Sequence, residues 1–395
     1  MFKPEWNREL LYNTNYIGGL VMLKNSVYNS SCNWVSELDN SSLYYLLLQL
    51  ALELPASSVI RIPYVLYHKN MRNEVANNSV NPKIYARELS ESAVQAKGYI
   101  WKNTRDAQAI ALSLDSQKYR IDYLDKIKNE HLLDSLNVSL LDGKLRGTFQ
   151  CFLEFGHVFP SVDIVIPSRD KASLLKSCLD SILSNTDYPN YRILIVDNGS
   201  DESETFELYN SIRSNKRIKL IESPGPFNYS KLNNKAVKSS NADVLVLLNN
   251  DTEIINSQWL HELVKQAIRP EVGCVGAKLY YSNERIQHGG VVIGMKGLAG
   301  HAHRFSLKND DGYCGRLKMS QYMSAVTAAC LAVKRSLYLE VNGLDEVNLK
   351  VAYNDVDLCM RIGQMGYNNV WTPYAELFHH ESCLLYTSPS PRDRG

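Results

Sequence analysis

No apolar run in this 395-residue chain reaches the roughly 18 residues that a bilayer-spanning helix needs. The longest, residues 43–54, is broken by Gln49 and Glu53 and stops at Pro55, which reads as a buried helix. No signal-peptide pattern opens the chain. The formal net charge is only +1, so there is no electrostatic case for nucleic acid as a partner. The eight cysteines fall at irregular spacings without a Cys-x-x-Cys pair, which argues against a disulfide framework and fits a reducing cytosol. There is no G-x-G-x-x-G after a strand and no G-x-x-x-x-G-K-[ST], which weakens dinucleotide-fold and P-loop readings.

What is present is ordinary in bulk and ordered in pattern. Hydrophobic content of 45% and charge of 22% are those of a soluble globular protein, and the length suits two domains. From Val162 onward, strand-like and helix-like stretches alternate. Residues 162–166, 191–196, 218–221 and 244–248 read as strands, and 174–183 and 230–239 as helices. Such alternation predicts a mostly parallel sheet with helices on both faces. Three of these strands end in polar clusters, Ser168-Arg169-Asp170, Asp197-Asn198 and Asn249-Asn250-Asp251. If the strands are neighbours, the clusters line one rim and form a nucleotide-sized crevice.

The stretch VLVLLNND, residues 244–251, carries the most information. A short Val/Leu run is a strand buried on both faces of a parallel sheet. A carboxylate flanked by amides at its carboxyl end suits a hard divalent cation shared with a diphosphate, because Mg²⁺-type ions take oxygen ligands and keep phosphates in their shell. The competing reading is a strand-to-helix turn, with Asp251 or Thr252 capping a helix near residues 257–268. Further on, Asn354-Asp355-Val356-Asp357 opens an amphipathic helix with Leu358, Ile362 and Met365 on one face. His288, His301 and His303 follow glycine-rich turns, and no cysteine or carboxylate nearby completes a tetrahedral zinc set around the His-x-His pair.

The ordered series VDIVIPSRDKASLLKSCLDSIL, ILIVDNGSDE, LLNNDTEI, NDVDLCMRI and HHES, spanning residues 160–382, resembles family 2 inverting glycosyltransferases. The segments PFNYSKLNN, IQHGGVVIG, GHAHRF, SAVTAACLAV and WTPYAELFHHES resemble the bacterial subgroup that builds cell-surface polysaccharide, with rhamnosyltransferase-like members. The resemblance implies an α/β fold of the GT-A type, a Rossmann-like three-layer α/β/α sandwich. It implies transfer of a sugar, with inversion, from a UDP- or dTDP-linked donor to a glycan or lipid-linked acceptor in O-antigen- or capsule-type synthesis. It also implies a cytoplasmic protein, at most in peripheral contact with the inner face of the cell membrane.

By the same resemblance, Pro167, Ser168 and Arg169 pack on the nucleotide base, and Asp197 recognises base or ribose. Asn234 helps hold the nucleotide, although Ala236 stands where the family's motif has glycine. Asn249, Asn250 and Asp251 match the Asp-x-Asp motif with its first acid replaced by Asn249. Mn²⁺ or Mg²⁺ would then rest on Asp251, the diphosphate and His379, with His380 a weaker candidate. Asp355 matches the general base. A base is needed because the acceptor hydroxyl must lose its proton as its oxygen attacks the anomeric carbon. The bland reading of Asp355 is a carboxylate stabilised at a helix N-terminus.

The organisation expected is fourfold. Residues 1–80 are a degenerate partial module of the same type, because GLVMLKNSVY (19–28) aligns with ACLAVKRSLY (329–338) and Leu43 then falls opposite Asp355. Residues 81–156 are a helical, connecting segment, 157–382 form the catalytic domain, and 383–395 (CLLYTSPSPRDRG) read as translated sequencing adapter. A non-catalytic module that binds sugar nucleotide or scaffolds polysaccharide assembly is the alternative function.

Overall fold

The computed structural model describes residues 7, 11, 47, 50, 137–145, 148–155, 158–295 and 298–380. The chain divides into two compact units, Met1–Ile121 with Val138–Phe152, and Asp122–Asn137 with Leu153–Gly395. In the first unit, Leu47 and Leu50 are helical and buried, in keeping with the helix expected there. The expected duplication over 1–80, the connecting segment as far as residue 136 and the adapter-like tail lie outside the described residues. A two-stranded sheet, Asn137–Asp142 with Phe149–Glu154, precedes the main body. No helix among the described residues is long and apolar enough to cross a membrane.

The second unit is built on one mixed sheet. Its elements in chain order are β1 (Val162–Ser168), α1 (Ala172–Ser184), β2 (Tyr191–Asp197), α2 (Ser203–Ile212), β3 (Ile218–Glu222), α3 (Tyr229–Lys238) and β4 (Val244–Leu248). Then follow β5 (Thr252–Ile254), α4 (Trp259–Ala267), β6 (Val272–Tyr280), β7 (Ile286–His288), β8 (Val291–Ile293) and β9 (Ala299–His301). The chain ends its described part with β10 (Gln321–Met323), β11 (Cys330–Lys334), α5 (Arg335–Glu340), α6 (Asn354–Gln364) and β12 (Asn368–His379). The strand order is β10-β12-β6-β11-β4-β1-β2-β3, with β5 on β12 and β7 on β6.

The sheet is parallel only in part. β4, β1, β2 and β3 run parallel, as alternation predicts, but β11 enters antiparallel between β4 and β6. Alternate residues of the central strands serve two cores. Ile164, Ile193 and Val246 face α1 and α4, packing with Leu179 and Leu263. Val165, Leu194 and Leu247 face α3 and α6, packing with Leu232 and Leu358. This period-2 split explains why the strands read as continuous apolar runs. The three layers agree with the expected sandwich.

Two local expectations change. Neither Asp251 nor Thr252 caps a helix, because the chain forms β5 at Thr252–Ile254 and α4 starts only at Trp259. Pairing with β12 through Ile254↔Leu377 and Thr252↔His379 captures these residues as strand. The apolar face of α6 buries Leu358 and Ile362, but Met365 is 42% exposed. The helix has ended at Gln364, and Gly366 at φ 92 turns the chain away.

The candidate active site

The carboxyl ends of β4, β1 and β2 stand side by side, so the three polar clusters share one rim. β4 pairs with β1 only as far as Val165↔Leu247, whereas β2 follows β1 to Ser168↔Asp197. Pro167, which has no N–H to give, falls where the β4 side has already parted. Ser168 Oγ and Asn250 Nδ2 bridge the gap at 3.1 Å, both side chains buried.

On the β1–β2 side the loops are welded together. Asp170 and Lys171 both sit at positive φ, 53° and 56°, an uncommon conformation that the neighbouring loop holds in place. The Asp170 N–H donates to Ser200 Oγ at 2.9 Å, and the Lys171 N–H to Glu202 Oε2 at 3.0 Å. Asp170 Oδ1 accepts the N–H groups of Asp201 and Glu202. Partial burial pushes the Asp170 carboxyl up, but the N–H groups of Glu202 and Asp201 and the Arg169 guanidinium outweigh it and hold it below the usual carboxylate range. Arg169 itself is 46% exposed and pairs with Asp170 and Asp201. Asp197 is buried and already engaged: Oδ1 accepts Ser200 Oγ at 2.5 Å and Tyr209 OH at 3.0 Å. Its Oδ2 takes only the Ser200 N–H at 3.3 Å, which leaves acceptor capacity there. Beside it Asn198 donates to Ser223 O and Gly225 O while its own Oδ1, buried, has no partner. Nothing in the sequence singled out that oxygen.

On the β4 side, β12 brings His379 to Asp251. The two approach at 3.2 Å (Nε2 to Oδ1), and Asn249 Nδ2 lies 3.1 Å from the same nitrogen. The other ring nitrogen, Nδ1, is 2.7 Å from Gln287 Oε1. His380 turns away, with Ser282 Oγ 2.8 Å from its Nδ1. His288 is fully buried, and desolvation, followed by the neighbouring His301 and His379, lowers its pKa well below normal. It therefore stays neutral and accepts the Thr327 N–H at 3.5 Å.

Asp355 opens α6. Its Oδ2 accepts the Ala328 N–H at 3.0 Å and its Oδ1 the Val356 N–H at 2.8 Å. Asp357 points aside into a salt bridge with Arg361. The loop that leads to α6 is clamped by α3. Asn228 donates to Glu346 O, Ser230 Oγ to Leu349 O, and Asn354 to Ser230 Oγ. Asn234 spends its whole amide here: Nδ2 donates to Leu344 O and Glu346 Oε2, and Oδ1 accepts Tyr338 OH and the Leu344 N–H. Sequence expectation gave Asn234 to the nucleotide; the fold gives it to the loop that delivers Asp355. Tyr229, between the halves, donates to Ala328 O at 3.0 Å. Burial and then the negative charge of Asp355, with a smaller share from Asp251, raise its pKa. The adjacent Ala329 carbonyl accepts the Asn249 N–H at 3.1 Å, so the loop that holds Asp355 also joins the end of β4.

Among the described residues no three His, Cys, Asp or Glu side chains are grouped to hold a metal ion by themselves. The donor set fits a divalent cation that brings its own oxygen ligands. One carboxylate and one imidazole are too few for a closed site, yet they suffice where a diphosphate completes the shell. Gln287 occupies the His379 nitrogen that faces away from Asp251.

Residues 163–323 match the family model described as Glycosyl transferase family 2. An uncharacterized protein, y4gI of Sinorhizobium fredii, is 38% identical over the whole of this chain, which covers 40% of that protein. The O-antigen biosynthesis protein RfbC of Myxococcus xanthus is 30% identical over 96% of this chain, covering 27% of that protein. The chain thus spans less than half the length of these relatives. A mannosyltransferase from Pyrobaculum calidifontis, solved with GDP-Man and Mn²⁺, superposes with a TM-score of 0.44 at 17% identity over 70% of this chain and 69% of that one.

Proposed function

We propose that the chain transfers a sugar, with inversion, from a UDP- or dTDP-linked donor to a glycan or lipid-linked acceptor of cell-surface polysaccharide. The observation that carries this reading is the pairing of His379 with Asp251 at the end of β4, beside a loop whose Ala329 carbonyl accepts the Asn249 N–H and whose Ala328 N–H donates to Asp355. The match to the family 2 model and the O-antigen role named for RfbC support it.

In this reading the nucleotide lies along the β1–β2 rim, with Pro167, Ser168 and Arg169 against the base. Asp197 Oδ2, less committed than Oδ1, accepts from an imide N–H or a ribose hydroxyl. The diphosphate lies toward Asn249, Asn250 and Asp251. Asp251 and His379 hold the divalent cation, Mn²⁺ or Mg²⁺, which when bound neutralises the leaving diphosphate. Asp355 accepts the acceptor hydroxyl's proton while that oxygen bonds to the anomeric carbon and the carbon–oxygen bond to the diphosphate breaks. The two N–H groups that fix the Asp355 carboxylate keep its position without consuming all its lone pairs. Asn234 acts at one remove, by anchoring the loop before α6. The reaction is placed in the cytoplasm, at the inner membrane face where a lipid-linked acceptor is used.

The test is release of nucleoside diphosphate by the purified chain across a panel of UDP- and dTDP-sugars, with Mn²⁺ or Mg²⁺ and with glycan acceptors. Metal-dependent release that disappears in Asp355→Asn is the expected result. Nucleotide binding without turnover on any donor, identical in the variant, overturns the transferase reading in favour of a binding module.

A further inference from the structure

Gln287 is 2% exposed at the centre of β7, and its amide meets His379 twice. Oε1 lies 2.7 Å from Nδ1, and Nε2 donates to the His379 carbonyl at 3.4 Å. The second contact fixes which way round the amide stands. The oxygen therefore faces the ring, and Nδ1 must carry the proton, since two acceptors at that distance would repel. On the opposite side Nε2 lies 3.1 Å from Asn249 Nδ2 and 3.2 Å from Asp251 Oδ1, one donor and one acceptor, so the Gln287 contacts alone set the tautomer.

We propose that Gln287 is a positioning residue that locks His379 as the Nδ1–H tautomer, so that the Nε2 lone pair and the Asp251 carboxylate converge on one cation. The proposal rests on the reading of His379 as a metal ligand. It goes further in assigning the site's strength to a residue that touches neither metal nor substrate. A neutral glutamine accepts the proton without adding charge, so the cation meets a single protein carboxylate, Asp251. The amide of Asn249 occupies the lone pair until the cation replaces it.

Two measurements on the full chain test this. In the metal-free protein labelled with [¹⁵N]histidine, long-range ¹⁵N–¹H correlation spectra should show His379 with a protonated Nδ1 and a bare Nε2. The His379→Ala variant identifies its signals. Gln287→Leu should release the other tautomer. Mn²⁺ is then titrated by water-proton relaxation, alone and with UDP or dTDP. Gln287→Leu should weaken Mn²⁺ binding by about 10- to 100-fold, and Gln287→Glu, which keeps the acceptor, should restore it. A wild-type His379 protonated at Nε2 overturns the proposal without any variant. So does a folded Gln287→Leu protein with wild-type Mn²⁺ affinity. Wild-type protein that binds no Mn²⁺ with either nucleotide sinks the metal reading itself, a result distinct from both.

Discussion

The main-chain N–H of Ala328 donates to Asp355 Oδ2 at 3.0 Å, tying the loop before β11 to the first turn of α6. The same residue's carbonyl accepts Tyr229 OH from α3. Gly276 makes room for this loop, since a Cβ there would lie 2.5 Å from Val326 Cβ. The carboxylate is therefore aimed by three elements at once, and not by its own helix alone.

Asp355→Asn keeps an oxygen for the Ala328 N–H but loses the acceptor of the Val356 N–H, so a small loss of stability is expected with nucleotide binding retained. The lost proton acceptor should lower transfer by about 10²- to 10⁴-fold. Steady-state release of nucleoside diphosphate measures this, and wild-type turnover in the variant would remove Asp355 from the role of base.

Gly343 holds φ 67, and a Cβ on it would lie 2.4 Å from Asn234 Oδ1 and 2.7 Å from Tyr338 Cε1. Those atoms belong to the clamp on the loop before α6. Gly343→Ala should cost about 1–3 kcal/mol, from strain at positive φ and from overpacking. Thermal melting should fall by about 2–4 °C for each kcal/mol, with kcat reduced more than nucleotide affinity. An unchanged melting temperature would refute the clamp.

Much of this site is visible in the residues themselves. The run at 244–248 announces its strand because every side chain in it is buried, and the polar stops after three strands announce the rim. Asp251, His379 and Asp355 are chemically distinctive where they stand. Gln287 is not: a lone glutamine in IQHGG means nothing until a partner 92 residues away closes on it. Asn234 reads as a ligand for the same reason, since its partners lie 104 to 112 residues away. The antiparallel entry of β11 between β4 and β6 is likewise a property of pairing, invisible to local periodicity.

Asp170 offers a stability test with a definite sign. Its carboxyl is held below its ordinary range, near about 3.9, chiefly by the Glu202 and Asp201 N–H groups once burial is overcome. A depressed folded-state pKa adds stability that is complete above the unfolded value and is lost as pH falls through the folded one. Asp170→Asn tolerates the positive φ but removes the charge. Its melting temperature should lie below wild type at neutral pH, and the gap should close under acid conditions. A gap independent of pH would show that the charge contributes nothing.

Asn249 stands where a second carboxylate would double the protein's charge on a cation. As amide it contacts His379 Nε2 at 3.1 Å and leaves Asp251 the sole acid of the pair. Asn249→Asp should set two carboxylates against each other in the metal-free protein and lower its melting temperature, because like charges at close range resist joint ionisation. Mn²⁺ should reverse this, stabilising the variant more than wild type through preferential binding to the folded state. An affinity gain of about tenfold for Mn²⁺ without nucleotide corresponds to about 1.4 kcal/mol. Melting curves with and without Mn²⁺ measure both effects. Equal stabilisation of the two proteins would mean that the cation does not sit beside residue 249, and that the diphosphate is held by the rim alone.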